Sequence, residues 1–436
     1  MLYIGEQFKA TGSRDENFAR VEQSRWGRHA MVSRCSKGRT EGISNLSKRI
    51  DDLGVAACVL YVFGRVAFYQ STVLISVEEL RLAQPMALIS VLTISLCLIV
   101  LASKACLVRP RLVCAVAALI AVLTISATLT KDDRLLESVL LVITAVSIDK
   151  QKLIRWFAVA IGAGIVVVVL PSLCGLIWNK DVLPNNYIVF GYGFGHPNTF
   201  GALLGCFACA VLYVGWNHRA WVLSVAMAML LALFSKIMLS SNTAMILILS
   251  YCIFSVLGHL FDEKLTLVFT KRVRVSITCI LALITIVGML YLMVAYDNDN
   301  PVHKVINEAL HFRPYFGADY YRSNGGFSIL GKPYLGTSTY HQGVAFESLD
   351  SGIMYMAGAY GILPLICCFA MFVYMVAHLP ENERTFFVWA MIMICLLNLL
   401  TEGYPLYVYM NMSSILLADG LDSRGEPVHS DRTQIG

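Results

Sequence analysis

The sequence predicts an all-α, polytopic transmembrane bundle of about twelve spans. Three observations carry that expectation. The chain is 57% hydrophobic and only 14% charged, with a mean hydropathy of +0.66, and soluble domains hold more charge than this. Its apolar runs repeatedly approach the length of about 20 residues that crosses a hydrocarbon core as a helix. The short alternating segments of an outer-membrane barrel are absent, which leaves helices to satisfy the backbone in lipid. The formal net charge of +5 belongs mostly to tails and loops, so nucleic acid is not expected as a partner.

Taken in order, residues 1–50 are polar and basic, with Arg14, Arg20, Arg25, Arg28, Arg34, Lys37, Arg39, Lys48 and Arg49. No apolar core beside a cleavage site makes this a signal peptide; it reads as a cytoplasmic N-terminal tail. Spans follow near 53–75, 83–103, 112–130, 135–148, 156–178, 199–216, 220–235, 242–261, 275–296, 350–377, 386–400 and 404–418. Residues 419–436 form a short cytoplasmic C-terminal tail. With the N-terminus inside, the inner loops hold Lys104, Arg109 and Arg111, then Lys150, Lys152 and Arg155, later Arg219, and finally Lys264, Lys271, Arg272 and Arg274. The short outer loops are poorer in Lys and Arg, as the positive-inside rule requires.

Two features inside the apolar runs need separate treatment. Most of the 13 cysteines lie within spans, and Cys206 and Cys209 form a C-x-x-C inside a membrane helix, where small apolar filler is expected rather than zinc or redox chemistry. Arg65 falls in the first span, where an ionisable group is expensive. The expectation is that it pairs with Glu137 of another helix or snorkels to a polar cavity.

The expected orientation sends every unusual polar stretch to the same, outer side: Gly191–Asn198, Ser240–Thr243, residues 297–349 and Thr401–Pro405. In Gly-Tyr-Gly-Phe-Gly-His-Pro-Asn, the glycines free the backbone, and Pro197 suits the first turn of a new helix. His196 and Asn198 are thereby presented where the loop turns into that helix, as a capping pair or as ligand contacts. The 297–349 loop interleaves Arg313, Arg322, Lys332, His341, Glu347 and Asp350 with Phe312, Tyr315, Phe316, Tyr320, Tyr321, Tyr334 and Tyr340. Guanidinium forks beside aromatic faces suit a ligand that joins phosphate to sugar. Within the loop, Val302–Phe312 reads as a short amphipathic helix at the membrane interface.

From about residue 190 onward the chain resembles the O-antigen polymerase/ligase family, the Wzy-like polysaccharide polymerases. Gly193-Phe194-Gly195-His196-Pro197-Asn198 resembles the family's glycine-plus-Pro-Asn loop, and Ser240-Ser241-Asn242-Thr243-Ala244 its Ser-rich helix start. Asn307-Glu308-Ala309-Leu310-His311-Phe312-Arg313 with Ser328-Ile329-Leu330-Gly331 resembles its Arg-to-Gly stretch. Leu349-Asp350-Ser351-Gly352 and Tyr360-Gly361-Ile362-Leu363 resemble its return into a helix, and Thr401-Glu402 its late acidic turn. Many ligases place His-Asn where this chain has Asp350-Ser351, which favours a polymerase; many members carry Ser-Arg where this chain has Ser241-Asn242.

The resemblance implies a GT-C-like fold, with a polymerase domain over 51–418 that includes the outer loop 297–349. It implies inverting glycosyl transfer at the outer face of a bacterial plasma membrane, without metal or other cofactor. The partners implied are undecaprenyl-diphosphate-linked oligosaccharides, membrane lipids, a flippase and a chain-length regulator, for capsule or exopolysaccharide synthesis. Arg313, Asp350, His341 and Glu402 are the candidate catalytic residues. His196, Asn198, Asn242, Arg322 and Lys332 are the candidate substrate contacts. A ligase that moves finished glycan, and a flippase of lipid-linked glycans, are the alternative readings.

Overall fold

The structure is a computed structural model and describes residues 46–71, 83–104, 110–146, 148–177, 180–182, 188–216, 220–333, 340–341, 344–345, 349–382 and 384–421. The chain divides into two units, residues 1–53 and 54–436; in the first, the described residues 46–53 are helical.

The helices follow the apolar runs. They are α1 (Leu46–Tyr69), α2 (Ala83–Lys104), α3 (Pro110–Thr130), α4 (Arg134–Thr144), α5 (Lys150–Leu173), α6 (Pro197–Gly215), α7 (Trp221–Ile237), α8 (Asn242–Val268) and α9 (Lys271–Ala295). Two short helices, α10 (Pro301–Ala309) and α11 (Arg313–Ser323), occupy the long loop. Next comes α12, made of Gly352–Tyr355 and the π-turn Met356–Tyr360. Then come α13 (Ile362–Ala377) and α14 (Thr385–Asn398). Lys180–Val182 pairs with Ile188–Phe190, and Tyr340–His341 with Val344–Ala345, as two small antiparallel hairpins.

Among the described residues, seven helices are long and apolar enough to cross a membrane: α1, α2, α3, α5, α6, α8 and α9; α7, α13 and α14 are apolar but shorter. The twelve expected spans are not reached, for reasons visible in the packing. The run 135–148 becomes the short α4, buried on nearly every side. The run 404–418 becomes the short turns Tyr404–Leu406, Val408–Met410 and Ser413–Leu416, also mostly buried. Those stretches are apolar because they are core, not because they face lipid. Residues 419–421, expected in a tail, are part of the buried turn Leu417–Leu421.

The run 350–377 is broken rather than continuous. Gly361 adopts φ +100° between α12 and α13, and the segment Ser328–Lys332 fills the break. Ser328 O accepts from Ile362 N at 3.0 Å, Ile329 O from Leu363 N at 2.9 Å, and Ala359 O from Lys332 N at 3.0 Å. A Cβ on Gly361 would lie 2.5 Å from Gly331 N, so only glycine fits the crossing.

Arg65 lies in the closing π-turn Arg65–Tyr69 of α1, and its pairing with Glu137 is present. Asp133 at 3.1 Å and Ser90 at 3.3 Å share the guanidinium. Cys206 and Cys209 are both buried, and Cys206 Sγ accepts a hydrogen bond from Met412 N at 3.3 Å, in keeping with a packing role.

Hydrogen bonds gather the loops into two sets at opposite ends of the helices. At one end Ser71 bridges to Phe194, Ser241 bonds Asn198, Arg313 bonds Thr401, and Arg134 bonds Tyr355. At the other, Lys104 bonds Val146 O, Gln151 bonds Val214 O, Arg384 bonds Gln151, and Arg274 pairs with Glu381. All four polar stretches singled out in the sequence have described residues at the first end.

Candidate functional site

The site is built at that first end, between α6, α8, α14 and the start of α11. His196 caps α6: its Nδ1 accepts from Asn198 N at 3.1 Å, with Pro197 in the first helical position. Asn198 is thereby held in the first turn of α6, and its Oδ1 accepts from Ser241 Oγ at 2.9 Å. Ser241 in turn caps α8. Gly201 allows the two helix starts to approach, since a Cβ there would lie 2.6 Å from that of Ala244.

Arg313 is delivered by an unusual turn. His311 and Phe312 both have positive φ, 49° and 64°, a region that residues other than glycine seldom occupy. The turn is tied down by Phe312 N donating to Asn307 O at 2.7 Å and Tyr315 N donating to Asn307 Oδ1 at 3.0 Å. Arg313 Nε then donates to Thr401 O at 3.1 Å and Nη1 to His311 O at 2.9 Å. Its Nη2 pairs with Asp350 at 3.0 Å and stands 3.9 Å from Glu402.

A cavity of about 530 Å³ opens beside these groups, and its wall includes Asn198, Asn242, His311, Arg313, Asn398, Thr401 and Glu402. Asn242 Oδ1 accepts from Lys236 Nζ at 2.7 Å at the rim. Four of the residues expected from sequence therefore share one cavity: Asn198, Asn242, Arg313 and Glu402. Further down, the wall turns apolar through Ile246, Leu247, Ile394 and Leu397. Ile246 is 58% and Leu397 44% exposed, so the cleft between α8 and α14 also opens sideways, on the apolar flank of the bundle.

The two carboxylates beside Arg313 differ. The Asp350 side chain is 35% exposed and in direct contact with Arg313, whereas that of Glu402 is 8% exposed and belongs to the cavity wall. Burial pushes the Glu402 carboxyl up to about 7, opposed by Arg313 and reinforced by the charge of Asp350. A carboxyl poised there can take a proton near neutral pH. Arg313, its donors already oriented, offers positive charge to an anion in the cavity. The amides of Asn198, Asn242 and Asn398 can bond hydroxyl groups.

The other expected residues lie elsewhere. Arg322 Nη2 donates to Tyr296 O at 2.5 Å, tying α11 to the end of α9. Lys332 Nζ donates to Asn324 O at 2.5 Å and Gly326 O at 2.7 Å, which stitches the turn after α11; burial lowers its proton affinity. His341 is described only as backbone in a short hairpin, and Glu347 and Tyr334 lie outside the described residues. Of the other wall residues, Thr401 was singled out in the sequence only as part of the polar stretch Thr401–Pro405, and Asn398 was not. Asn398 carried a signal nonetheless, as an amide ending an apolar run one helical turn before Glu402.

Comparisons of the chain with protein-family models, with curated proteins and with solved structures found no match.

Proposed function

We propose that the protein is a polysaccharide polymerase that joins undecaprenyl-diphosphate-linked repeat units at the outer face of the bacterial plasma membrane. The observation that carries this reading is the single cleft that runs from Arg313 and Glu402 to the exposed apolar residues Ile246 and Leu397. That gradient suits an amphiphile with an anionic, hydroxyl-rich head and a hydrocarbon stem, presented from the bilayer side. The resemblance to the O-antigen polymerase/ligase family, with its GT-C-like fold, points to the same substrates.

In this reading a sugar hydroxyl of the incoming repeat unit attacks the anomeric carbon of the growing chain. Glu402 takes the hydroxyl proton, the new glycosidic bond forms with inversion, and the bond to the lipid diphosphate breaks. Arg313 offsets the negative charge that develops on the departing phosphate oxygen. Asp350 holds the guanidinium in place rather than acting as the base, because its carboxylate is already engaged by Arg313.

The test is a deletion strain whose lipid-linked glycans are resolved on gels. Loss of long polymer with accumulation of single lipid-linked units supports the reading. Finished chains retained on lipid carrier would identify a ligase, and units trapped on the inner face a flippase. Normal chain length would remove all three.

A further inference from the structure

We propose that Arg134 is a positioning residue for the cavity: through Tyr355 and Tyr407 it clamps the two segments that carry Asp350 and Glu402. The inference rests on the polymerase reading of that cavity. Asp350 stands five residues before Tyr355, and Glu402 five before Tyr407. At their cavity ends the two segments meet directly. Gly352 N donates to Glu402 O at 3.2 Å, and Ser351 Oγ to Leu399 O at 3.1 Å. A Cβ on Gly352 would lie 2.5 Å from the Leu399 side chain and 3.1 Å from Glu402 O.

Arg134 supplies the second point of attachment. Its Nη2 donates to Tyr355 Oη at 3.1 Å, and that hydroxyl donates to Asp132 Oδ2 at 3.1 Å. Asp132 binds the same guanidinium by two points, 2.8 Å from Nε and 2.5 Å from Nη2. The flat cation lies 4.8 Å from the ring centre of Tyr407 and 5.2 Å from that of Tyr69. Burial alone would raise the Asp132 carboxyl, but the bonds and charge of Arg134 overcome it and hold it below its usual value. With one attachment each segment could pivot about the Gly352–Glu402 contact; with two, the angle of both carboxylates to Arg313 is fixed. Only a planar, forked cation can bond Tyr355 and Asp132 in its plane while its faces meet rings.

The experiment uses the purified full chain and two readouts. The first is labelling of Glu402 by a hydrophobic carbodiimide between about pH 5 and about pH 9, read by mass spectrometry with Glu402→Gln as the blank. The groups facing Glu402 are Arg313, Asp350, Tyr404 and His311. The second is polymer formation from lipid-linked repeat units.

The wild-type labelling midpoint should fall near 7. Arg134→Leu and Arg134→Lys should each lower it by about one pH unit as Glu402 swings toward water, and slow turnover about tenfold with KM unchanged. Tyr355→Phe, which keeps the ring and removes only the hydroxyl, should shift both readouts in the same direction by less. It decides the matter if the Arg134 variants fail to accumulate. An unmoved midpoint in Tyr355→Phe and Arg134→Lys, with an active wild type, overturns the positioning role and leaves the polymerase reading intact. A moved midpoint in a protein that makes no polymer keeps the role and removes that reading.

Discussion

Glu402→Gln separates a proton acceptor from a merely buried side chain. The substitution keeps shape and hydrogen-bonding capacity but cannot accept a proton. If Glu402 is the base, turnover should fall by a factor on the order of 10² to 10⁴, about 3 to 5 kcal/mol of transition-state stabilisation. The wild-type rate should depend on pH with a midpoint near 7, so that activity at pH 6 is about a tenth of the plateau. That limb should vanish from whatever activity the variant retains.

Stability should move the other way. The folded carboxyl has its proton affinity raised, from 4.5 to about 7, so the stabilisation linked to it is fully present below the unfolded value and lost as pH rises through 7. Above that point a buried charge persists at a cost of about 3 kcal/mol. Glu402→Gln should therefore melt higher than wild type at pH 8 and not at pH 4. Turnover in purified protein with lipid-linked substrate, and melting at both pH values, provide the measurements. Near-normal polymer from the variant, or a wild-type rate flat between pH 6 and pH 8, refutes the assignment.

Arg313→Ala should lose a contact worth roughly 3 kcal/mol or more in the transition state, a rate loss of about a hundredfold or greater, while Arg313→Lys recovers only part because it cannot fork; turnover at membrane levels matched by immunoblot checks both. Glu137→Gln should leave the buried Arg65 with the half-exposed Asp133 as its remaining counter-charge and destabilise the fold by up to about 3 kcal/mol, read as loss of accumulated protein that a Glu137→Gln, Arg65→Leu double variant restores in part. Gly361→Ala should disrupt the helix break, since φ there is +100°, and cost at least about 1 to 2 kcal/mol, measured as a lower melting temperature. Single cysteines at Asn242 and Lys304 should react with an impermeant reagent from outside intact cells, and one at Lys271 should not; the reverse pattern overturns the expected orientation.

The sequence announced the helical class because composition and run length are direct consequences of a hydrocarbon solvent. It also announced the Arg65–Glu137 pair, since a lone charge in an apolar run demands a partner. The number of spans was less legible, because apolarity alone cannot distinguish a lipid-facing helix from one buried among others. Leu135–Ile143 and Tyr407–Leu416 are apolar for the second reason. Among the site residues, Asn198, Asn242, Arg313 and Glu402 announced themselves as polar groups beside apolar runs. Arg322 and Lys332 looked equivalent to Arg313 in the loop; all three bond backbone carbonyls, but of the three only Arg313 also lies in the cavity wall, beside Glu402 and Asp350. Which cation of a loop is turned into a cavity depends on where its helices start, and no composition rule gives that.

Val302 and Val305 show how a correct element can carry an unexpected face. The helix forms over Pro301–Ala309, with His303 and Asn307 buried and the two valines 62% and 67% exposed. His303 Nδ1 accepts from Asp297 N at 3.0 Å, and Asn307 supplies the carbonyl and amide oxygens that hold the turn before Arg313. The polar side of α10 is thus consumed in shaping that turn, and its apolar side is left outward, as suits a helix lying against lipid headgroups. The left-handed pair His311–Phe312 costs conformational energy that persists only where neighbours over-determine it, and Asn307 is the neighbour that does so. The cation of the cavity is fixed by a strained backbone, and its carboxyl is tuned by burial. Both are set in the folded protein before any ligand arrives, which is the condition under which charge in a site lowers a barrier instead of merely following it.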